Sequence, residues 1–227
     1  MKNIIILSSL ILFIACETEK SDQTVNLITE LDSVSYSLGV NIGGNLKKSS
    51  FEDINLYNFE AGIKDVLEKE VEPKISDNQA QAIINSYFSK KQQKESESVI
   101  EEGVNYLREN AKRKGVTTLP SGLQYEVINY GTGPKPTIED NVTTHYHGTL
   151  IDGTVFDSSV DRGEPASFPV GGVIKGWTEA LHLMAVGSKW KLYVPYDLAY
   201  GERGAGPQIG PYSTLIFEVE LISNIPL

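Results

Sequence analysis

At Gly115 the hydrophobic period of this 227-residue chain changes. Before that point apolar residues recur every three or four positions, as along one stripe of a helix. After it they alternate, as on the two faces of a strand. The chain therefore carries two kinds of structure in succession, an α+β arrangement in which any helix of the second half must cover the apolar face of its sheet.

In the first half, "DINLYNFEAGIKDVLEKE" places Leu56, Phe59, Ile63, Val66 and Leu67 on one stripe. A longer helix is predicted from "ISDNQ", where Ser76 and Gln79 have capping-box spacing, to Gly115, a C′ glycine after the basic "AKRK". Its middle, "SKKQQKESES", is polar on every face, whereas Ile83, Ile84, Tyr87 and Phe88 precede it and Val99, Ile100, Val104 and Leu107 follow. Such a stretch reads as a stalk through solvent, the alternative being one helix of a compact bundle. Upstream, Gly39, Gly43 and Gly44 are interspersed with Tyr36, Leu38, Val40 and Ile42. Small residues let a second backbone approach, and the segment is too short for a core of its own, so two copies sharing one surface are expected.

The second half reads as strands broken by turns. "GLQYEVINYGTGPKP", "NVTTHYHGTLIDGTVFDSS", "KWKLYVP" and "TLIFEVELISN" carry the alternation, and "WTEALHLMAVG" is the one good helix candidate. One of the two tryptophans, Trp177, opens that helix directly after Gly176.

The start, "MKNIIILSSLILFIAC", has one basic residue and then an apolar run too short to span a bilayer, as in a secretory signal. Cys16 is the only cysteine, so it forms no internal disulfide, and "FIAC" resembles the lipobox of bacterial lipoproteins, whose cysteine is acylated. A cleaved signal with a coincidental cysteine is the alternative. The expected division is a signal peptide at 1–15, a lipidated tether at 16–30, a helical dimerisation domain and stalk at 31–116, and a sheet domain at 117–227. Glu17 after the cysteine points to the outer membrane by the lipoprotein rules. A formal charge of −10 sets nucleic acid aside as a partner.

Four separated segments, "THYHGTLIDGTVFDSS", "VIKGWTEALHLMAVG", "VPYDLAYGERG" and "STLIFEVELI", resemble the FKBP-type peptidyl-prolyl isomerase domain over about 117–227. The helical half, from "VSYSLGVNIGGNLKK" onward, resembles the dimerisation module and stalk of the macrophage infectivity potentiator branch. The resemblance implies a five- or six-stranded antiparallel sheet wrapped around a short helix. It places Trp177 as the floor of a proline pocket, with Tyr146, Phe156, Val173, Ile174, Tyr200, Ile209 and Phe217 as walls. Asp157 and Tyr200 become rim groups, the Ile174 backbone N–H a donor to a substrate carbonyl, and Arg162 the partner of Asp157 and Tyr146. It also implies clients that are unfolded or partly folded proline-containing polypeptides, a folding role in the cell envelope, a homodimer through the N-terminal helices, and macrolides such as rapamycin as inhibitors. Ala166 in "EPASF", the short loop after Val170 and the absence of histidine from "ERGAGPQIGP" predict a more open pocket edge.

Rotation about a prolyl amide faces a barrier of roughly 18–20 kcal/mol and breaks no bond, so it requires neither nucleophile, metal nor cofactor. Planar resonance separates charge between oxygen and nitrogen, and twisting removes that separation. An apolar pocket that excludes water therefore favours the twisted state. The alternative reading of the same aromatic residues is core packing, and of the whole domain a non-catalytic chaperone or adhesin on this fold. His145 and His147 share one face of a strand and Tyr146 the other, but no third ligand is spaced near the histidines for a zinc site.

Overall fold

The computed structural model describes residues 24–49, 51, 53–68 and 72–226. The signal segment, Cys16 and the first part of the tether lie outside them. The chain divides into two compact units that part between Lys74 and Ile75.

The first unit holds helices α1 (Glu30–Lys48) and α2 (Leu56–Leu67). Thr29 and Asp32 form a reciprocal capping box at the start of α1, and the Asn55 side chain caps α2. Neither helix contains a buried residue. Leu31, Leu38 and Val40 are 73%, 60% and 59% exposed, so nothing in this unit covers the apolar side of α1.

The second unit opens with α3 (Asp77–Asn110), which starts at the expected Ser76–Gln79 capping box. It stops at Asn110 instead of running to Gly115. Beyond Asn110 the backbone tightens into Lys112 N–H to Glu109 and Arg113 N–H to Asn110 bonds, and Gly115 turns the chain at φ 95°. The Asn110 side chain leaves the helix to donate to Gln124 Oε1 at 2.8 Å.

Seven strands follow: β1 (Val116–Thr118), β2 (Gln124–Asn129), β3 (Asn141–Leu150), β4 (Val155–Ser158), β5 (Ala166–Pro169), β6 (Lys189–Val194) and β7 (Leu215–Ile225). Their order is β1-β2-β6-β7-β3-β4, with β5 beside β3, and every pairing is antiparallel. This is more than the five or six expected, because the three-residue β1 and four-residue β5 join the sheet through pairing that sequence alternation does not reveal. A single-turn helix, α4 (Ser159–Arg162), was likewise not anticipated. Helix α5 (Lys175–Leu183) is the one predicted, and Ala180 and Leu181 on it, with Met184 just beyond, pack in one apolar cluster with Val142, Leu192, Leu215 and Val219. Gly176 permits that packing, since a Cβ there would press into the Val194 side chain.

Along β3 burial alternates. Val142, Thr144, Tyr146 and Gly148 point inward, while His145 and His147 are only partly buried. That alternation carries Tyr146 to the inner face.

Candidate active site

The concave side of the sheet, α5 and the loops around them enclose a cavity of about 420 Å³. Trp177 lies at its base and is 4% exposed. Three rings stand nearly perpendicular to its indole: Tyr146 at 5.4 Å, Phe217 at 5.3 Å and Phe168 at 5.9 Å between centroids. Phe156 in turn meets Phe217 edge-on at 5.4 Å. Edge-to-face packing suits the ring quadrupoles and fixes the indole in a nest of aromatic neighbours. Gly148 makes space for this nest, because a Cβ there would lie 2.7 Å from the Phe156 ring and 3.0 Å from Phe217.

Each element delivers its residue for a local reason. Tyr146 comes from the inward face of β3, Phe156 and Asp157 from β4, and Phe217 from β7, opposite Gly148. Ile174 is the N-cap of α5, so its backbone precedes the first helical turn, and its N–H carries no hydrogen bond among the described residues. Thr178 Oγ1 donates to the Val170 carbonyl at 2.8 Å and ties that turn to the loop before it.

The polar rim is a closed triangle. Tyr146 donates to Asp157 Oδ2 at 2.5 Å, Arg162 Nη2 donates to the Tyr146 oxygen at 2.9 Å, and Arg162 Nη1 donates to Asp157 Oδ1. Partial burial would raise the Asp157 pKa, but hydrogen bonds from Tyr146 and Arg162 outweigh it and hold the carboxyl below its usual range. Burial, reinforced by the bond to Asp157, pushes the Tyr146 phenol upward. Tyr200 is raised by burial and then by the nearby Asp157 charge.

Trp177, Ile174, Tyr200, Asp157, Tyr146, Phe156, Val173, Ile209 and Phe217 all line this one cavity. Arg162 does not line it but holds two residues that do. Sequence reasoning missed Phe168, which pairs with Val142 from β5, and the Ala205–Gln208 tip of the loop that closes one side. The alternation of "ASF" was the available signal for Phe168. The paired histidines have other partners: His145 Nδ1 lies 3.1 Å from Ser159 Oγ, and His147 Nδ1 2.9 Å from Ser158 Oγ. Among the described residues no group of three His, Cys, Asp or Glu side chains comes together to hold a metal ion.

Residues 133–222 match the family described as FKBP-type peptidyl-prolyl cis-trans isomerase, and residues 31–127 match the domain amino terminal to it. The FKBP-type 22 kDa peptidyl-prolyl cis-trans isomerase of Escherichia coli is 51% identical over 190 residues, covering 83% of this chain and 92% of its own length. The outer membrane protein MIP of Legionella longbeachae is 44% identical over 208 residues, 87% of each chain. The crystal structure of FkpA from Escherichia coli superimposes with a TM-score of 0.70 at 36% identity, covering 88% of this chain and 99% of that one. With the aromatic pocket, the antiparallel sheet and these likenesses over most of its length, the chain belongs to the FKBP-type peptidyl-prolyl cis-trans isomerases.

Proposed function

We propose that the isomerase acts on an X-Pro bond whose proline ring rests on Trp177, and that it does so as a lipid-anchored dimer assisting the folding of exported proteins in the bacterial envelope. The observation that carries the site is the Trp177 indole, enclosed edge-on by three rings at the base of the cavity. A flat apolar floor accepts a saturated ring without asking it to hydrogen-bond, and its walls keep water from the amide. With the charge-separated planar form poorly solvated, the barrier to the twisted form falls. The Ile174 N–H is the donor for a carbonyl of the bound peptide, and the Tyr146–Asp157–Arg162 triangle keeps the rim in place. Tyr200, 43% exposed, offers its hydroxyl from the opposite lip.

The helical half supports the dimer. A Cβ added at Gly39, Gly43, Gly44 or Gly62 would meet nothing within 4 Å, so contacts inside the chain give no reason for these glycines, whereas close approach of a second copy does. Acylated Cys16 would supply the anchor; among the described residues no helix is long and apolar enough to cross a membrane. Residues 31–116 serve as dimerisation module and stalk, and 117–227 as the isomerase module. The relative from Legionella longbeachae is an outer membrane protein by name, which supports the same destination here. Macrolides that present a pipecolyl or prolyl ring are the expected inhibitors of this pocket. The deciding experiment is isomerisation of a proline tetrapeptide by the purified chain and by Trp177→Ala. Full rate in the variant, correctly folded, would remove the pocket from the mechanism.

A further inference from the structure

Mid-helix glycine costs about 1 kcal/mol of helix stability relative to alanine, so each one invites a reason. Gly103, on the last third of α3, is buried. A Cβ built there would fall inside contact distance of Thr214 Oγ1 and 3.3 Å from Thr214 Cβ. Helix backbone therefore sits directly on Thr214, the residue before β7.

The helix on one side of this contact is held firmly. Gln124 Nε2 donates to the Leu107 carbonyl at 2.9 Å, Asn110 donates to Gln124, and Arg113 Nη1 donates to Tyr193 Oη at 2.7 Å while Nη2 pairs with Glu126. On the other side lies a small cavity of about 170 Å³, bordered by Val99, Glu102, Ser213 and Thr214 among others. A side chain forced in at position 103 would thus displace Thr214, not α3.

Thr214 ends the loop Gly201–Thr214, which closes the proline pocket. Within it Ala205 and Ile209 exchange backbone hydrogen bonds, Tyr212 N–H donates to the Gly201 carbonyl at 2.9 Å, and Ser213 Oγ donates to Gly210 O at 2.8 Å. Tyr212 occupies the left-handed region at φ 60°, which an aromatic residue keeps only when its surroundings hold it. The loop is internally tied, so displacement at its base passes to Ile209 and, through the Tyr212–Gly201 bond, to Tyr200.

We propose that Gly103 is a positioning residue of the isomerase: its missing side chain seats the stalk helix on Thr214, and that seat sets Ile209 and Tyr200 against the substrate pocket. This rests on the pocket described under Proposed function. Gly103→Ala in the full-length chain should raise KM for a proline tetrapeptide about three- to tenfold while kcat changes by less than about twofold, because pocket walls move and the floor does not. Thr214→Ala removes the obstructing oxygen and should restore KM in the double variant, while leaving it near the parent value alone. A purely structural glycine would lower Tm in Gly103→Ala without moving KM at a temperature where the variant is folded. That result, or a raised KM that Thr214→Ala fails to rescue, overturns the proposal. Should Gly103→Ala not fold, Thr214→Val crowds the same contact from the other side with the helix untouched, and an unchanged KM there also overturns it. Trp177→Ala and Tyr200→Ala run alongside separate the two readings. If both keep parental activity the pocket itself is misassigned; if they lose it and Gly103→Ala keeps its KM, only the seat is wrong.

Discussion

Tyr146 and Asp157 reach across paired strands to meet at 2.5 Å, and the same Asp157 carboxylate takes Arg162 on its other oxygen. The phenol is at once donor to the carboxylate and acceptor from the guanidinium, so each member orients the other two. None of the three is placed to attack or protonate an amide. Their work is to hold the lip of an apolar pocket in one geometry.

Asp157→Asn tests that division of labour. The amide can still accept from Tyr146 but loses the ion pair with Arg162, so kcat/KM on a tetrapeptide should fall about three- to tenfold, well short of abolition. Loss of all activity in a folded variant would make the carboxylate a direct participant.

The pH profile follows from the same groups. Asp157 is held below its usual carboxylate range, so what it adds to stability is present above its unfolded pKa of about 4 and is lost as pH falls through the lower folded value. Tyr146 and Tyr200 are shifted upward, so their contribution is present below about pH 10 and is lost as pH rises through the folded values. With a substrate that does not titrate, kcat/KM should be flat from about pH 5 to 9. A limb near pH 6.5 would implicate a histidine that the geometry leaves outside the pocket.

Removing the floor and removing a neighbour of the floor should differ sharply. Trp177→Ala and Tyr200→Ala are each expected to lower kcat/KM by at least about tenfold, the first also destabilising the fold by roughly 3–5 kcal/mol because the indole is core as well as floor. Trp177→Leu keeps more of the volume and provides the folded comparison. His145→Ala breaks only its contact with Ser159 and should leave the tetrapeptide rate within about twofold. Equal losses from all three, at matched folding, would reject the arrangement.

Most of the pocket was legible because its residues sit in short segments with strong local character. Tyr146 follows from alternation along β3, and Trp177 from a glycine–tryptophan pair at a helix start. Phe168 escaped notice because "ASFP" is brief and lies between proline and glycine, and only its pairing with Val142 makes it a strand. The Ala205–Gln208 tip carries almost no side-chain chemistry, so nothing in its composition marks a wall. The end of α3 was misplaced for a third reason. Asn110 abandons the helix for Gln124, fourteen residues on, a tertiary bond that periodicity cannot register.

That bond bears on where the isomerase module can be cut. A fragment beginning at 117 loses Asn110 and Arg113, leaving Gln124 and Tyr193, which are 4% and 1% exposed, short of partners. Each unmet buried group costs about 1–3 kcal/mol. A fragment beginning at 97, which keeps those bonds and the Gly103 seat, should have a clearly higher urea midpoint, and both should be monomeric. Equal midpoints would mean that the helix end adds nothing to the module.

Cys16 governs the membrane question. If it is acylated, the mature chain fractionates with membranes and carries the added mass, whereas Cys16→Ala yields an uncleaved or released form. Multiple acyl chains matter here, since a single one anchors only marginally. Unchanged membrane retention and mass in Cys16→Ala would eliminate lipidation.

The helical half makes the largest claim on function. Leu38 and Val40 are exposed beside glycines whose missing side chains meet open space, which suits a helix that receives a second backbone. Leu38→Asp with Val40→Asp should therefore convert a dimer, seen by light scattering at micromolar concentration, into a monomer without altering the tetrapeptide rate, because the pocket lies in the other unit. Protein substrates should respond differently. An unfolded chain long enough to occupy two pockets binds the second as an intramolecular event, gaining avidity with no new contact, and that gain vanishes when the copies separate. The monomeric variant should accordingly lose much of its advantage in refolding a proline-limited protein and in suppressing aggregation. If the parent chain is itself monomeric at that concentration, or the variant equals it on protein substrates, the two pockets do not act together.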